Sequence, residues 1–435
     1  MTDTKWVYIK DLKEHIDTRV EIKGWVRNRR SSGKIAFLQL RDGSGFVQGV
    51  VEKTTVGEDN FNVIKNIKIE SSIIVRGLVK KDERAPEGVE LILDEVVPVH
   101  LNIEDYPITK PDHSVDFLMK YRHLWLRSKR QFHIMTIRDQ IIRAMKEFYF
   151  INGFKQIDNP IITGSIGESA GNLFEMDYYD YGKVYLAQTG QLYLEAAALA
   201  YGKVFDFGPT FRMEKSKTRK HLVEFWMNDT EVAFNHHDDN LKLQEQFVSY
   251  VVQSVVKNCR ADLEALERDI SVLERVQAPF HRITYTEGVA LLQKEGFDIQ
   301  WGSDFGAAEE SHLADRYDKP VFVEKYPKAV KAFYMQPDPT NPLTVLCADL
   351  LAPEGYGEII GGSERIWDKN LLIERIKESG LNIDEYQWYL ELREFGSVPH
   401  SGYGIGLERT VCWICGLKHI RESIPFARTL YRVYP

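Results

Sequence analysis

The sequence predicts an α+β protein in which a small N-terminal β-barrel precedes a larger antiparallel sheet flanked by helices. The chain has 435 residues, which is too long for one ordinary domain. Short apolar runs separated by turn residues fill the first hundred positions, and strand-like segments interspersed with helical stretches follow. Because these later strands do not form regular strand–helix–strand repeats, an antiparallel sheet is favoured over a parallel one.

Composition excludes several classes of protein. A hydrophobic fraction of 43% and a charged fraction of 28% are typical of globular rather than disordered or membrane proteins. The net charge of -8 means that any RNA contact must come from local basic patches. The polar start and the lack of a long apolar run predict a cytoplasmic protein without a membrane partner. Cys412 and Cys415 lie in an apolar helical run, where we expect core packing rather than metal ligation.

Residues 1–101 are predicted to form the barrel. Apolar segments at 20–26, 34–42, 45–51, 71–79 and 89–99 are separated by turn signals, with little helical periodicity between them. Five strands at this spacing favour an OB-fold, a class of barrel that binds single-stranded nucleic acid through aromatic side chains and basic loops. On its own, Phe37 is predicted to point into the core, because alternate residues of a strand face inward.

Residues 102–128 are predicted to be a proline-containing connector, and residues 129–435 a second domain. Helical periodicity is expected at 132–153, 192–200, 239–273 and 367–379, and strands at 154–163, 184–188 and near 357–362.

Two stretches of this second domain suggest a ligand site. Residues 203–234 are predicted to be a hairpin with a basic tip, in which Arg212 can bind a phosphate or carboxylate and Phe225 can stack on a base. A solvated hairpin is the alternative, since charge runs usually face water. Residues 402–409, GYGIGLER, are predicted to be a glycine-rich strand that enters a helix.

Taken together, FRME…HLVEF and GYGIGLER resemble the second and third motifs of class II aminoacyl-tRNA synthetases. Within that class the chain resembles the bacterial asparaginyl enzymes of the aspartate, asparagine and lysine subgroup over essentially its whole length, including GQLYLEAAALA and LAPEGYGEIIGGSER. The helix and strand ending near Pro160 resemble the first motif, which implies a homodimer.

The resemblance implies an ATP site. Arg212 would hold the α-phosphate and the substrate carboxylate, Glu214 would accept from the adenine amino group, and Phe225 and Arg409 would enclose the adenine ring. His221 and Arg409 would reach the outer phosphates, and Glu358 would be the carboxylate that binds Mg2+. Arg212, Arg409 and Glu358 are thus the implied catalytic residues, and the ATP site also includes Leu222 and Gly406.

The resemblance also implies an amino-acid pocket and an anticodon site. The pocket would contain Glu168, Gln191, Leu194, Asp229 and Arg365, and Leu194 stands where aspartate enzymes carry a lysine. Without that lysine, a neutral amide is favoured over an acid. Residues Phe37, Gln48 and Glu90 fall where related enzymes read the anticodon.

The chain departs from the asparagine enzymes around the amino acid. Asp229-Thr230-Glu231 replaces the usual Glu-Pro-Glu, and Gly167, the segment 306–309 and Ala427 are further departures. The implied function is activation of asparagine with ATP and transfer to tRNA-Asn. The alternatives are a duplicated enzyme that activates aspartate, asparagine or an analogue and passes the adenylate to ammonia or another small acceptor, and a catalytically silent RNA-binding protein.

Overall fold

The computed structural model describes residues 4–85, 88–109, 113–165, 167, 173–215 and 219–435. They belong to two compact units, residues 1–114 and 115–435. The predicted connector at 102–128 contains the short helices α3 (Val115–Lys120) and α4 (Arg122–Trp125), both in the second unit.

The first unit is a closed five-stranded barrel with the strand order β1-β2-β3-β5-β4. Its strands are β1 (Arg19–Ser32), β2 (Ile35–Arg41), β3 (Phe46–Glu52), β4 (Ser72–Lys81) and β5 (Val89–His100). All five predicted strands are therefore confirmed. Two short helices that the periodicity did not predict, α1 (Lys53–Val56) and α2 (Glu58–Ile64), join β3 to β4.

Strand β2 shows which side chains fill the barrel. Ala36, Leu38 and Leu40 are buried, so the alternate residue Phe37 points outward and is only partly buried. The prediction, made from Phe37 alone, that this residue packs in the core is wrong, because the strand buries the even-numbered residues and turns the odd-numbered ones outward.

The second unit is built on a nine-stranded sheet of order β13-β14-β17-β18-β19-β12-β10-β6, with β11 paired to β12. Its strands, and those of two small sheets, are β6 (Lys155–Gln156), β7 (Ile162–Thr163), β8 (Glu175–Asp177), β9 (Lys183–Leu186), β10 (Lys203–Phe205), β11 (Gly208–Phe211), β12 (Glu224–Ala233), β13 (His281–Thr284), β14 (Val321–Glu324), β15 (Pro337–Asp338), β16 (Asn341–Val345), β17 (Cys347–Ala352), β18 (Gly357–Glu364) and β19 (His400–Gly406).

The remaining helices are α5 (Lys129–Ile151), α6 (Gln191–Tyr201), α7 (His237–Asn258), α8 (Arg260–Ala265), α9 (Ile270–Glu274), α10 (Tyr285–Lys294), α11 (Ala307–Ala314), α12 (Lys369–Glu378), α13 (Gln387–Glu391) and α14 (Leu407–Cys415). No helix in the described part of the chain is long and apolar enough to cross a membrane.

The central strands of the large sheet are antiparallel, as predicted, while the end pairs β13/β14 and β6/β10 are parallel. The α+β class with a barrel and a helix-flanked sheet is thus confirmed, although the sheet is mixed. Helix α5 is anchored to the sheet because the Tyr149 hydroxyl lies 3.0 Å from the Tyr403 hydroxyl and accepts from Thr230 at 2.7 Å.

Two predicted elements differ from the observed ones. The strand expected at 154–163 is reduced to the two-residue strands β6 and β7, with the exposed Pro160 between them. The amphipathic stretch 239–273 is three helices rather than one, and Glu267, with φ of 59°, lies between the last two. Cys412 and Cys415 are buried in α14, where core packing was expected.

Candidate active site

A cavity of about 320 Å³ opens on one face of the central strands β12, β18 and β19. Phe225, Met227 and Asp229 of β12 all line it, because alternate residues of a strand share one face. The predicted ATP-binding residues that line it are Arg212, Glu214, His221, Leu222, Phe225, Glu358, Gly406 and Arg409. The structure therefore brings two distant segments, 203–234 and 402–409, to a single site.

The alternating glycines of β19 allow the close approach of its neighbour. Gly404 pairs with Asp229 of β12, and a Cβ atom at Gly404 would lie 2.4 Å from Oδ1 of Asp229. At Gly402 a Cβ atom would lie 2.1 Å from the carbonyl oxygen of Thr230. Any larger residue would clash, so both glycines let β19 lie close to β12, and Gly404 opens the floor of the cavity.

Arg212 and Phe225 lie together at one end of the cavity. The Arg212 guanidinium carbon is 5.5 Å from the centre of the Phe225 ring, and Nη2 donates to the Gln188 carbonyl at 3.5 Å. Arg212 directly follows β11, which pairs with the strand β12 that contains Phe225, and Thr210 lies opposite Phe225. This arrangement offers a planar cation beside an aromatic face, which suits a planar anionic ligand.

His221 links two charged side chains of the site. Its Nε2 lies 3.4 Å from Glu214 Oε2 and 3.5 Å from Arg409 Nη2. Burial, followed by the positive charge of Arg409, lowers the pKa of His221 below its ordinary value. The imidazole is therefore neutral near pH 7 and can accept a hydrogen bond as well as donate one.

Glu358 and Arg409 form an ion pair at the edge of β18. Arg409 Nη1 donates to the Glu358 carboxylate at 3.1 Å and to its backbone carbonyl at 2.9 Å. Burial would raise the pKa of Glu358, but the cations Arg409, Lys331 and Arg212 outweigh it and lower that pKa. Glu358 is accordingly ionised and suited to binding a metal ion or a cationic group.

Several further charged residues in or beside the cavity were missed by the sequence analysis. Lys331 donates to Asp349 at 2.7 Å, and Glu310 accepts from the backbone N–H of Glu358 at 3.2 Å. Lys220 donates to Ser311 at 3.2 Å. Asp349 could have been suspected as an acid within the apolar strand CADLLA, whereas Lys220, Lys331 and Glu310 carry no motif of their own.

Burial makes two of these acids weaker. It raises the pKa of Glu310 to about 7, with the negative charge of Glu358 adding to the effect. It also raises the pKa of Asp349 to about 6 against the opposing charge of Lys331. The carboxylates of Glu358 and Asp349 both approach Gly361, where a Cβ atom would meet Glu358 Oε1 at 3.2 Å and Asp349 Oδ1 at 3.6 Å.

The opposite end of the cavity contains Gln191, Asp229 and Arg365. Asp229 Oδ2 accepts from the Thr189 hydroxyl at 2.6 Å and from the Gly190 N–H at 2.9 Å. Gln191 donates from its amide to Glu195 at 3.1 Å. Both side chains are therefore held in place before any ligand arrives.

The prediction that Leu194 belongs to the amino-acid pocket is wrong, because Leu194 does not line this cavity. It is fully buried and packs with Ala198 and Val204 in a separate apolar cluster between α6 and the sheet. Its side chain cannot set the polarity of the pocket by direct contact. Glu168, the other predicted member of the pocket, lies outside the residues that the structure describes.

Within the barrel unit, the predicted anticodon residues form one outward-facing group. Gln48 pairs with Glu90 across β3 and β5, and its amide lies 3.4 Å from the Glu90 carboxylate. Arg30 donates to Gln48 at 3.4 Å, and its guanidinium carbon lies 4.6 Å from the centre of the Phe37 ring. An aromatic face, a cation, an amide and a carboxylate thus lie side by side, partly exposed.

Known proteins resemble both units. Residues 20–99 match the family described as OB-fold nucleic acid binding domain, and residues 114–430 match the family described as tRNA synthetases class II (D, K and N). These matches confirm the predicted OB-fold and the predicted synthetase class.

Solved structures of asparaginyl-tRNA synthetases are similar over the whole chain. The Pyrococcus horikoshii enzyme, solved in complex with asparaginyl-adenylate, is 42% identical, with a TM-score of 0.95 and coverage of 100% of both chains. The Entamoeba histolytica asparaginyl enzyme is 29% identical, with a TM-score of 0.90 and coverage of 99% of this chain and 100% of that one.

An aspartyl-tRNA synthetase from Entamoeba histolytica is 26% identical, with a TM-score of 0.84 and coverage of 100% of this chain and 93% of that one. The full-length similarity is thus higher to the asparaginyl enzyme of Pyrococcus than to this aspartyl enzyme. With the synthetase family matched over 114–430 and the barrel family over 20–99, the chain belongs to the class II tRNA synthetases of the aspartate, lysine and asparagine group, which are ligases.

Proposed function

We propose that this protein activates asparagine with ATP and transfers it to tRNA-Asn. The observation that carries the proposal is the single cavity of β12, β18 and β19, in which an ATP-type cluster of cations and an aromatic ring adjoins a pocket containing Gln191, Asp229 and Arg365. The 42% identity over the full length to an asparaginyl enzyme solved with its adenylate supports asparagine as the substrate.

ATP would occupy the end of the cavity that contains Arg212 and Arg409. Phe225 and Arg409 would enclose the adenine, and Glu214 would accept from its amino group. The Arg212 guanidinium would bind the α-phosphate and the substrate carboxylate at once, because its fork matches both groups. His221 and Arg409, within 3.5 Å of each other, would bind the outer phosphates.

Glu358 and Asp349 are the residues that would hold Mg2+, which supplies positive charge to the phosphates when bound. Their carboxylates approach the same glycine, and Mg2+ prefers carboxylate oxygens combined with phosphate and water. Among the described residues no group of three or more metal-ligating side chains is present. Phosphate and water oxygens would complete the coordination beside these two carboxylates.

The reaction needs little covalent chemistry from the protein. A carboxylate oxygen of the amino acid attacks the α-phosphorus and pyrophosphate leaves, giving the adenylate. The 3′-hydroxyl of the terminal tRNA ribose then attacks the carbonyl carbon and AMP leaves. Arg212 positions both reacting groups and stabilises the charge that develops on the phosphate.

The barrel would read the anticodon through Phe37, Gln48 and Glu90, the group that lies around Arg30. A base can stack on Phe37 while the amide and carboxylate pair with its edge. We further propose a homodimer and a cytoplasmic location, which the family resemblance supports. The domains are proposed as 1–101, 102–128 and 129–435.

Aminoacylation of tRNA transcripts tests this function. With ATP, Mg2+ and asparagine, the protein should charge tRNA-Asn and leave a tRNA-Asp transcript uncharged. Formation of the adenylate without charging of any tRNA would contradict the proposal and favour transfer to ammonia or another small acceptor.

A further inference from the structure

We propose that Lys331 acts as the counter-ion of Asp349 while no nucleotide is bound, so that a divalent cation enters this part of the cavity only together with ATP. The inference rests on the proposed function, because it concerns the Mg2+ that would accompany ATP. It assigns a role to a cation that lines the cavity but belongs to neither of the segments 203–234 and 402–409.

Lys331 is held firmly against Asp349. Its ammonium group donates to Asp349 Oδ2 at 2.7 Å. The two side chains are 15% and 14% exposed, so water weakens their attraction less than it would at the surface. The same ammonium group lies 3.9 Å from the centre of the Tyr326 ring, which is buried. A carboxylate and an aromatic face together fix the position of this charge.

Both carboxylates that would hold Mg2+ already have a cation of the protein beside them. Asp349 of β17 lies opposite Gly361 of β18, where the carboxylate of Glu358 also approaches. Glu358 is paired with Arg409 at 3.1 Å, as Asp349 is with Lys331. A divalent ion that arrived alone would meet two positive charges as well as two carboxylates. The repulsion would offset the attraction, and the ion would bind weakly.

The two cations differ in what ATP would offer them. Arg409 lies 3.5 Å from His221, in the part of the cavity proposed to bind the outer phosphates, and phosphate oxygens would be alternative partners for its guanidinium. Lys331 is held by Asp349 and Tyr326, neither of which is proposed to bind ATP. The phosphates would therefore supply the negative charge that a metal ion needs in order to share Asp349 with Lys331.

The alternative role for Lys331 is direct binding of a phosphate, which lysine performs as a point charge. The contacts favour the first role, because the ammonium group already has a carboxylate at hydrogen-bond distance and an aromatic ring beside it. The two roles predict different results. Without Lys331, a phosphate ligand would be lost and metal binding in the absence of ATP would not change, whereas loss of a counter-ion would strengthen that metal binding.

The first test is Lys331→Met, titrated with Mn2+ in the absence of nucleotide and followed by the electron paramagnetic resonance signal of the free ion. Mn2+ is the probe because it takes the same carboxylate and water oxygens as Mg2+. Methionine keeps an unbranched side chain without the charge. We expect the variant to bind Mn2+ at least about tenfold more tightly than the unaltered protein, because a unit charge within about 4 Å of a carboxylate changes its affinity for a cation by that order.

Two controls show whether the gain belongs to this site. Lys325→Met removes the cation of another Lys–Asp pair, 2.8 Å from Asp338 and outside the cavity, and should bind Mn2+ as the unaltered protein does. In the double variant Lys331→Met with Asp349→Asn, the gain should disappear. Unchanged or weaker Mn2+ binding in Lys331→Met, with circular dichroism matching the unaltered protein, would overturn the inference. An equal gain in Lys325→Met, or a gain that persists in the double variant, would overturn it too.

If Lys331→Met does not fold, the unaltered protein and the Asp349→Asn variant decide. Without nucleotide the two should bind Mn2+ equally weakly, because Lys331 occupies Asp349 in the unaltered protein. A Mn2+ site that is present without nucleotide and lost in Asp349→Asn would overturn the inference. None of these titrations uses an amino acid or tRNA. Failure of the unaltered protein to exchange pyrophosphate with asparagine would instead overturn the proposed function, so the two failures are distinguishable.

Discussion

At the scale of single residues, the site has two ends. The residues at one end match the motifs of the class II synthetases, whereas the chain departs from the asparagine enzymes around the other end. The end proposed to bind ATP contains Arg212, His221, Glu358 and Arg409, which all line the cavity. At the end proposed to bind the amino acid, hydrogen bonds hold Asp229 and an ion pair holds Arg365. Two mutations test the two ends separately.

Arg409→Ala should abolish adenylate formation while the fold persists. Arg409 contacts both Glu358 and His221, so its loss removes a cation at the place where phosphate charge must be bound. We expect pyrophosphate exchange to fall by at least about a hundredfold, the size of effect seen when one charge-stabilising donor is removed. Near-normal exchange would mean that the nucleotide site is misassigned.

Asp229→Glu should increase the preference for asparagine over aspartate. Asp229 is fixed by Thr189 and Gly190, and the longer side chain would carry its carboxylate further into the pocket, toward an amide donor. We expect the asparagine-to-aspartate ratio of kcat/KM to rise severalfold. No change in that ratio would count against Asp229 facing the side chain of the substrate.

The residues that could be predicted from the sequence are those that lie within a motif. The eight residues proposed to bind ATP come from three stretches that resemble motifs of the family, and all eight line the cavity. Ion pairs between distant residues, such as Lys331 with Asp349 and Glu231 with Arg365, cannot be predicted this way, because the pairing exists only after folding. Leu194 was misplaced because its helix presents Gln191 to the cavity and Leu194 to the core.

At the scale of elements, strands were more predictable than helix boundaries. The five barrel strands follow directly from apolar runs bounded by turn residues. The helical stretch after residue 239 is interrupted at Cys259 and Glu267, and its apolar periodicity continues through both breaks. The direction of Phe37 was misjudged because both faces of strand β2 carry apolar residues. The polar Gln39, which lies on the same face as Phe37, indicates that this face points outward.

The outward face of the barrel gives a prediction at this scale. Phe37→Ala should lower kcat/KM for tRNA-Asn by about tenfold to a hundredfold, since stacking of a base on an aromatic side chain contributes about 1 to 3 kcal/mol. Pyrophosphate exchange, which uses no tRNA, should be unaffected. A loss of both activities would indicate that the substitution disrupts folding rather than the anticodon contact.

At the scale of the whole molecule, the proposed homodimer accounts for exposed apolar side chains at the end of α5. Ile151 is 65% exposed and Phe150 is 55% exposed. Ile151→Asp should shift the protein from dimer to monomer in sedimentation equilibrium, because a charge would be buried in the interface. Val63→Asp, which charges an exposed apolar position on the barrel, is the control and should remain dimeric. A protein that is monomeric before any substitution would contradict the proposal.

The most direct test of the central claim is pyrophosphate exchange measured across a panel of amino acids and close analogues. Exchange into ATP should be supported by asparagine, with aspartate at least about a hundredfold less efficient, the level of discrimination that one binding site achieves between near-isosteric substrates. Exchange that is equal for the two amino acids, greater for aspartate, or absent with every amino acid would contradict the account.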